Sequence, residues 1–97
     1  MYITNVQTKS EWQDVADLVS TKISDTFAFS SDNTYHITNN SDYSVYLVNA
    51  TTKPSTKDLT GMVLQPKEQV VFKPGTSVKL WALSLVGACD ICIEQEG

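Results

Sequence analysis

Short runs of alternating apolar and polar residues fill most of this chain, and turn residues break them at intervals of roughly eight to twelve positions, as in a sandwich or small barrel of short strands. Residues 26–29 (TFAF), 34–38 (TYHIT), 43–50 (YSVYLVNA), 62–64 (MVL) and 68–73 (EQVVFK) each read as a strand. In 43–50, Val45, Leu47 and Asn49 share one face, while Tyr46 and Val48 share the other. The breaks carry recognisable turn chemistry: Ser30-Ser31-Asp32-Asn33, Asn39-Asn40-Ser41-Asp42, Gln65-Pro66-Lys67 and Pro74-Gly75. At Pro74-Gly75 the glycine is available for a left-handed position in a tight turn. Residues 51–60 contain Pro54 and no apolar period, and read as the longest loop.

The densest apolar stretch is 78–94 (VKLWALSLVGACDICIE), which reads as two strands folded back on each other at Val86-Gly87-Ala88. In the second, Cys89, Ile91 and Ile93 alternate with Asp90, Cys92 and Glu94. In the first, Val78, Leu80, Ala82 and Val86 point one way and Trp81, Leu83 and Leu85 the other, so neither face is polar. Such a strand is either central to a two-layer core or covered from outside the sheet.

One segment departs from the period of two. Trp12, Val15, Ala16, Val19 and Ile23 fall on a single helical stripe, behind Ser10 as N-cap with Glu11 and Asp14 in the first turn. A bent strand pair is the competing reading of 10–23. Residues 1–8 read as a short strand or a loose arm. The expected fold is thus mainly β, a small antiparallel β-sandwich or jelly-roll-like barrel of about six to eight short strands, with or without one short N-terminal helix. With 97 residues the chain has room for one domain, residues 1–11 serving as an N-terminal arm and 12–96 as the β domain. A chain of this size buries only about 65% of its unfolded surface, so oligomerisation is a natural source of added stability.

Charge narrows the partners. The net charge is −4, from 11 carboxylates and 7 lysines with no arginine. Arginine is the preferred residue for bidentate phosphate and base-edge contacts, and the lysines are scattered, so nucleic acid is not an expected partner. Nor is a membrane: no basic tract, no secretory leader and no apolar run near the roughly 20 residues needed to span a bilayer is visible. The chain reads as soluble and made in a cytoplasm.

Candidate chemistry is sparse. Cys89-Asp90-Ile91-Cys92 has C-x-x-C spacing, but on an alternating strand the two Cα atoms stand roughly 10 Å apart with side chains on opposite faces, too far for a disulfide. His36 is the only histidine, so a four-ligand zinc site lacks ligands. No nucleophile elbow accompanies it, and a solvent-facing or edge histidine is the expectation. Asp14 and Asp17 share a helix face without a pocket signature. The Ser-Asp-Asn and Asn-Ser-Asp turns at 31–33 and 40–42 lack the acidic density of a calcium loop. The triplets at Asn39 and Asn49 fit glycosylation but carry little without a secretory signal. Neither catalysis, a metal nor a cofactor is expected. Tyr35, Tyr43 and Tyr46 lie near one hairpin and form a candidate carbohydrate platform, although tyrosine is also an ordinary strand residue.

The order of these segments is similar to a known family. Trp12 is followed by Tyr35-His36-Ile37-Thr38-Asn39, Val45-Tyr46-Leu47, Lys53-Pro54, the run from Gly61 through Gln65-Pro66-Lys67-Glu68, a Val-Val-Phe strand, Leu80-Trp81-Ala82 and a closing Ile-x-Ile-x-Glu strand. Over residues 12–96 this resembles small β-sandwich proteins of tailed bacteriophage virions, among them head-decoration, head-fibre and tail-attached modules. The departure is Pro66-Lys67-Glu68, where Pro-Gly-Glu is more usual; lysine costs little there if the turn needs no positive φ. The resemblance implies a non-enzymatic role in the virion after synthesis in the host bacterial cytoplasm. It implies binding to a capsid or tail surface and self-association, with a trimer favoured. The contact would be an apolar patch of Trp81, Leu83 and Leu85, or the stripe led by Trp12. A receptor- or glycan-binding module at a fibre tip is the alternative, and a small enzyme or redox protein using Cys89 and Cys92 a third.

Overall fold

The structure, a computed structural model, describes residues 1–55, 61–75 and 78–96. Among them are eight strands and one helix: β1 (Tyr2–Gln7), β2 (Gln13–Asp14), α1 (Val15–Ile23), β3 (Tyr35–Asn39), β4 (Val45–Ala50), β5 (Met62–Leu64), β6 (Gln69–Phe72), β7 (Lys79–Leu83) and β8 (Asp90–Gln95). The pairing is nested and antiparallel: β1 with β8, β2 with β7, β3 with β6, β4 with β5. Two further pairings, β3 with β8 and β4 with β7, join these couples into sheets of order β1-β8-β3-β6 and β2-β7-β4-β5. A chain doubled at its middle and rolled over itself in this way is a jelly roll. The mainly β fold with one short helix is the one expected.

Alternation supplies the core. Tyr35 and Ile37 of β3, Val45 and Leu47 of β4, Leu80 and Ala82 of β7, and Ile91 and Ile93 of β8 meet between the sheets. Val15 and Val19 of α1 enter the same core, and the helix packs against β1, β2 and β7, closing the flank beside β1 and β2. The opposite flank, beside β5 and β6, opens as a cleft of about 300 Å³.

Several expectations are corrected. Residues 78–94 do not form a hairpin: β7 belongs to one sheet and β8 to the other, and residues 84–89 cross between them. Alternation decides which side chains face inward but not which strand lies alongside, and here β7 and β8 bury their inner faces in a shared core. Gly87 does take a left-handed conformation, at φ 77°, in that crossing. Because β7 ends at Leu83, Leu85 and Val86 leave the strand pattern and stand exposed. Gly75 is not among the positive-φ glycines, and β6 and β7 also lie in different sheets. Of the long loop expected over 51–60, residues 51–55 are irregular and 56–60 lie outside the described residues.

The helix begins later than its stripe suggested. Its N-cap is Asp14, not Ser10, with Asp14 Oδ1 accepting from the Ala16 N–H at 3.0 Å. Trp12 lies outside it, because Gln13 and Asp14 are held extended against Ala82 and Trp81 of β7. The helix ends at Ser24, in the left-handed region at φ 57°, where its N–H reaches the Ser20 carbonyl. Residues 26–29 are not a strand. Ser20 Oγ accepts the Phe27 N–H, and Phe27 and Phe29 turn edge-on towards Tyr35, with Phe29 also edge-on to Phe72. Their alternation is real, but it serves an aromatic cap on the core rather than a ladder. Of the two readings of residues 1–8 the strand is the one found: Tyr2–Gln7 is an edge strand paired with β8.

The Pro66 turn also differs. Glu68 N–H reaches the Gln65 carbonyl at 3.0 Å and Lys67 sits at φ 66°, the type II geometry that favours glycine at this position. The lysine therefore carries a conformational cost, against the expectation.

Candidate functional site

The register of the strands brings four connections to one end of the sandwich. Gln7 pairs with Asp90, Thr38 with Gln69, Asn39 with Ile91, Val45 with Leu64 and Tyr46 with Leu83. Residues 8–12, 40–44, 65–68 and 84–89 consequently emerge together. Two buried polar clusters fix them. Asn39 is fully interior; its Nδ2 donates to the carbonyls of Tyr43 at 2.7 Å and Leu64 at 3.0 Å, and its Oδ1 accepts from the Ser41 N–H. One amide thus ties the first sheet, the 40–44 loop and the second sheet. Being interior, Asn39 is also closed to glycosylation. Thr8 and Ser84 form the second cluster: Thr8 Oγ1 donates to Ser84 Oγ at 2.6 Å, Ser84 N–H reaches the Lys9 carbonyl, and Ser84 Oγ donates to the Gly87 carbonyl.

On this scaffold sits an open cleft of about 380 Å³. Its apolar part is Tyr43, Tyr46, Pro66, Leu85 and Val86, with Asp42, Ser44 and Gln65 on the polar side. Tyr43 is 53% exposed and Leu85 54%, values that make this an apolar patch rather than scattered single residues. Ser44 Oγ donates to Gln65 Oε1 at 3.2 Å across it. Lys67 lies beside the cleft, with Nζ donating to the Asn40 carbonyl at 2.7 Å and standing 3.9 Å from Asp42.

The candidate residues read from the sequence divide sharply. Leu85, Tyr43 and Tyr46 come together here. Trp12, Trp81 and Leu83 do not: they form a second buried cluster on the outer face of β7, packed with Tyr46, Val48 and Ala50. Trp12 is 1% exposed and Trp81 9%. Their indole N–H groups are engaged within the chain, Trp12 with the Ser55 carbonyl and Trp81 with the Ala50 carbonyl, each at 3.0 Å. The expected apolar outer face is real, and the chain covers it itself. Tyr35 is also interior, its hydroxyl accepting the Ser30 N–H, and so is no carbohydrate platform. Val86, Pro66 and the polar rim were missed by the sequence reading. A legible signal existed: Leu85 and Val86 are apolar residues directly beside a glycine turn, where a loop tip is normally polar.

Elsewhere among the described residues the titratable groups stand singly or in pairs. His36 Nε2 stands 3.5 Å from Glu96 on the outer side of its sheet. Asp14, besides capping α1, lies 3.6 Å from Lys79 Nζ, while Asp17 is exposed in the first turn. Cys89 is buried in the core and Cys92 is half-buried on the other face, both as free thiols. Burial, followed by repulsion from Glu94 and Asp90, pushes the Cys92 thiol above its ordinary pKa, which leaves it protonated and weakly nucleophilic at neutral pH. Among the described residues no group of three His, Cys, Asp or Glu is placed to hold a metal ion. No helix among them is long and apolar enough to cross a membrane.

Fold and site together define a small jelly roll with an apolar cleft held among its end loops. No protein-family model matches the chain, and neither a curated protein nor a solved structure is similar to it at a significant level.

Proposed function

We propose that this chain is a non-enzymatic bacteriophage virion structural protein that self-associates and docks on a capsid or tail surface through the end-loop cleft. The observation that carries the reading is the exposed apolar grouping of Tyr43, Leu85 and Val86 on a platform stiffened by Asn39 and Ser84. Pre-ordered loops lose little entropy on docking, so such a patch is suited to protein contact. The virion setting comes from the resemblance, to which the jelly-roll fold adds an analogy, since this architecture recurs in viral capsid and lectin domains. A stable contact buries on the order of 1,200 Å² or more, beyond what the cleft alone offers, so the surrounding loops take part.

Light scattering at micromolar concentration tests the self-association; an oligomer, with a trimer favoured by the resemblance, is expected. A strictly monomeric protein that also ignores capsids and tails removes the proposal. The virion setting is tested separately by genomic neighbourhood, where adjacent capsid and tail genes are expected.

A second reading rests on the same cleft. Tyr43 and Tyr46 stand beside Asp42, Ser44 and Gln65, an aromatic surface with hydrogen-bonding groups at its edge, as a glycan site at a fibre tip requires. Here a glycan array gives a hit that Tyr43→Ala weakens; a blank array eliminates the reading.

A further inference from the structure

The open flank carries a second cleft, separate from the end loops. Between β5 and β6 the core reaches the surface, and the floor of the cleft is formed by Ile37, Leu47, Phe72 and Leu80. Met62 and Val71 stand exposed among its lining residues, so apolar surface extends to its mouth. Asn49 and Lys73 supply the polar part of the lining. Lys67 and Lys79 each have a carboxylate within 4.0 Å, whereas among the described residues Lys73, like Lys9, Lys22 and Lys53, has none, and of these four only Lys73 lines the cleft. An ammonium beside an apolar slot, with no carboxylate against it among the described residues, selects a ligand with an apolar body and one anionic group.

Size decides between a molecule and a chain. The volume of about 300 Å³ lies at the lower end of the range for small-molecule sites, ~300–1,000 Å³. The edge strands that flank it, β5 and β6, are three and four residues long, at the short end for strands, and offer little backbone to an added chain. We propose that this cleft binds a small anionic amphiphile, a straight-chain carboxylate whose tail lies on Ile37, Leu47, Phe72 and Leu80 and whose head meets Lys73 and Asn49.

Decanoate, titrated below micelle formation into the full chain and followed by heteronuclear NMR, tests it. Saturable shifts at Leu47, Met62, Phe72 and Leu80 are expected, with those of Tyr43 and Leu85 unmoved. Lys73→Glu, an exposed substitution whose own spectrum reports its fold, weakens decanoate by about fivefold or more and reverses the preference towards decyltrimethylammonium. Absence of saturable shifts, shifts confined to the end loops, or unchanged affinity in Lys73→Glu overturns the assignment. Because the site is separate from the end-loop cleft, none of these results bears on self-association.

Discussion

Trp81 and Leu85 belong to one apolar run, yet the structure gives them opposite surroundings. Trp81 lies under Trp12 and the end of β4, with its indole N–H bonded inside the chain. Leu85 lies past the end of β7 and faces solvent beside Val86 and Tyr43. Both are large apolar groups outside the inter-sheet core. The difference is that an outer sheet face can be sealed by the neighbouring chain, whereas a loop tip at the end of a sandwich has no further chain to cover it. Apolarity therefore contributes to stability at the first position, and at the second it leaves an exposed patch, the one proposed to meet another molecule.

Substitutions separate these two roles. Trp12→Ala empties the centre of the sealed cluster and is expected to lower stability by about 3–5 kcal/mol in chemical denaturation. The oligomer measured in conditions where the variant remains folded should be unchanged; loss of assembly without loss of stability would reverse the assignment of this face. Asn39→Ala attacks the platform beneath the open patch. The buried Leu64 carbonyl loses the Asn39 donor and the Tyr43 carbonyl keeps only Ser41 Oγ, for about 1–3 kcal/mol, and amide exchange in residues 40–44 should quicken while the Trp12 region stays protected.

Smaller effects sharpen the contrast. Lys67→Gly removes the left-handed strain of the Pro66 turn and is expected to raise stability by about 0.5 kcal/mol, net of the glycine entropy cost and a surface hydrogen bond. A fall in the denaturation midpoint would show that the Lys67–Asn40 bond outweighs the strain. Leu85→Ser with Val86→Ser should move stability by less than about 0.5 kcal/mol, both side chains being exposed, and yet convert the oligomer to monomer in light scattering. An oligomer that survives both changes places the contact elsewhere.

The strand segments were legible because alternation of period two states which residues face inward. Residues 35–39, 45–48 and 69–72 follow that alternation, while 62–64 read as a strand from their apolar run between turn residues. The separation of Cys89 from Cys92 was legible for the same reason. The candidate site was readable only in pieces: Tyr43, Tyr46 and Leu85 were each marked as exposed or apolar, while Pro66, Val86 and the rim joined them only once four connections were brought to one end. Phe27 and Phe29 show the limit of alternation, since they satisfy the strand pattern without a ladder partner.

By itself, then, the sequence determined the fold class, the inward faces and most of the turns, because these depend on local geometry and on the period of the chain. Partnership was decided by tertiary structure. Whether β7 pairs with β8 or faces it across a core is settled by how eight short strands share one interior, and no local rule contains that information. The same global packing decides which apolar residues the chain can cover for itself, and so leaves Trp81 inside and Leu85 outside.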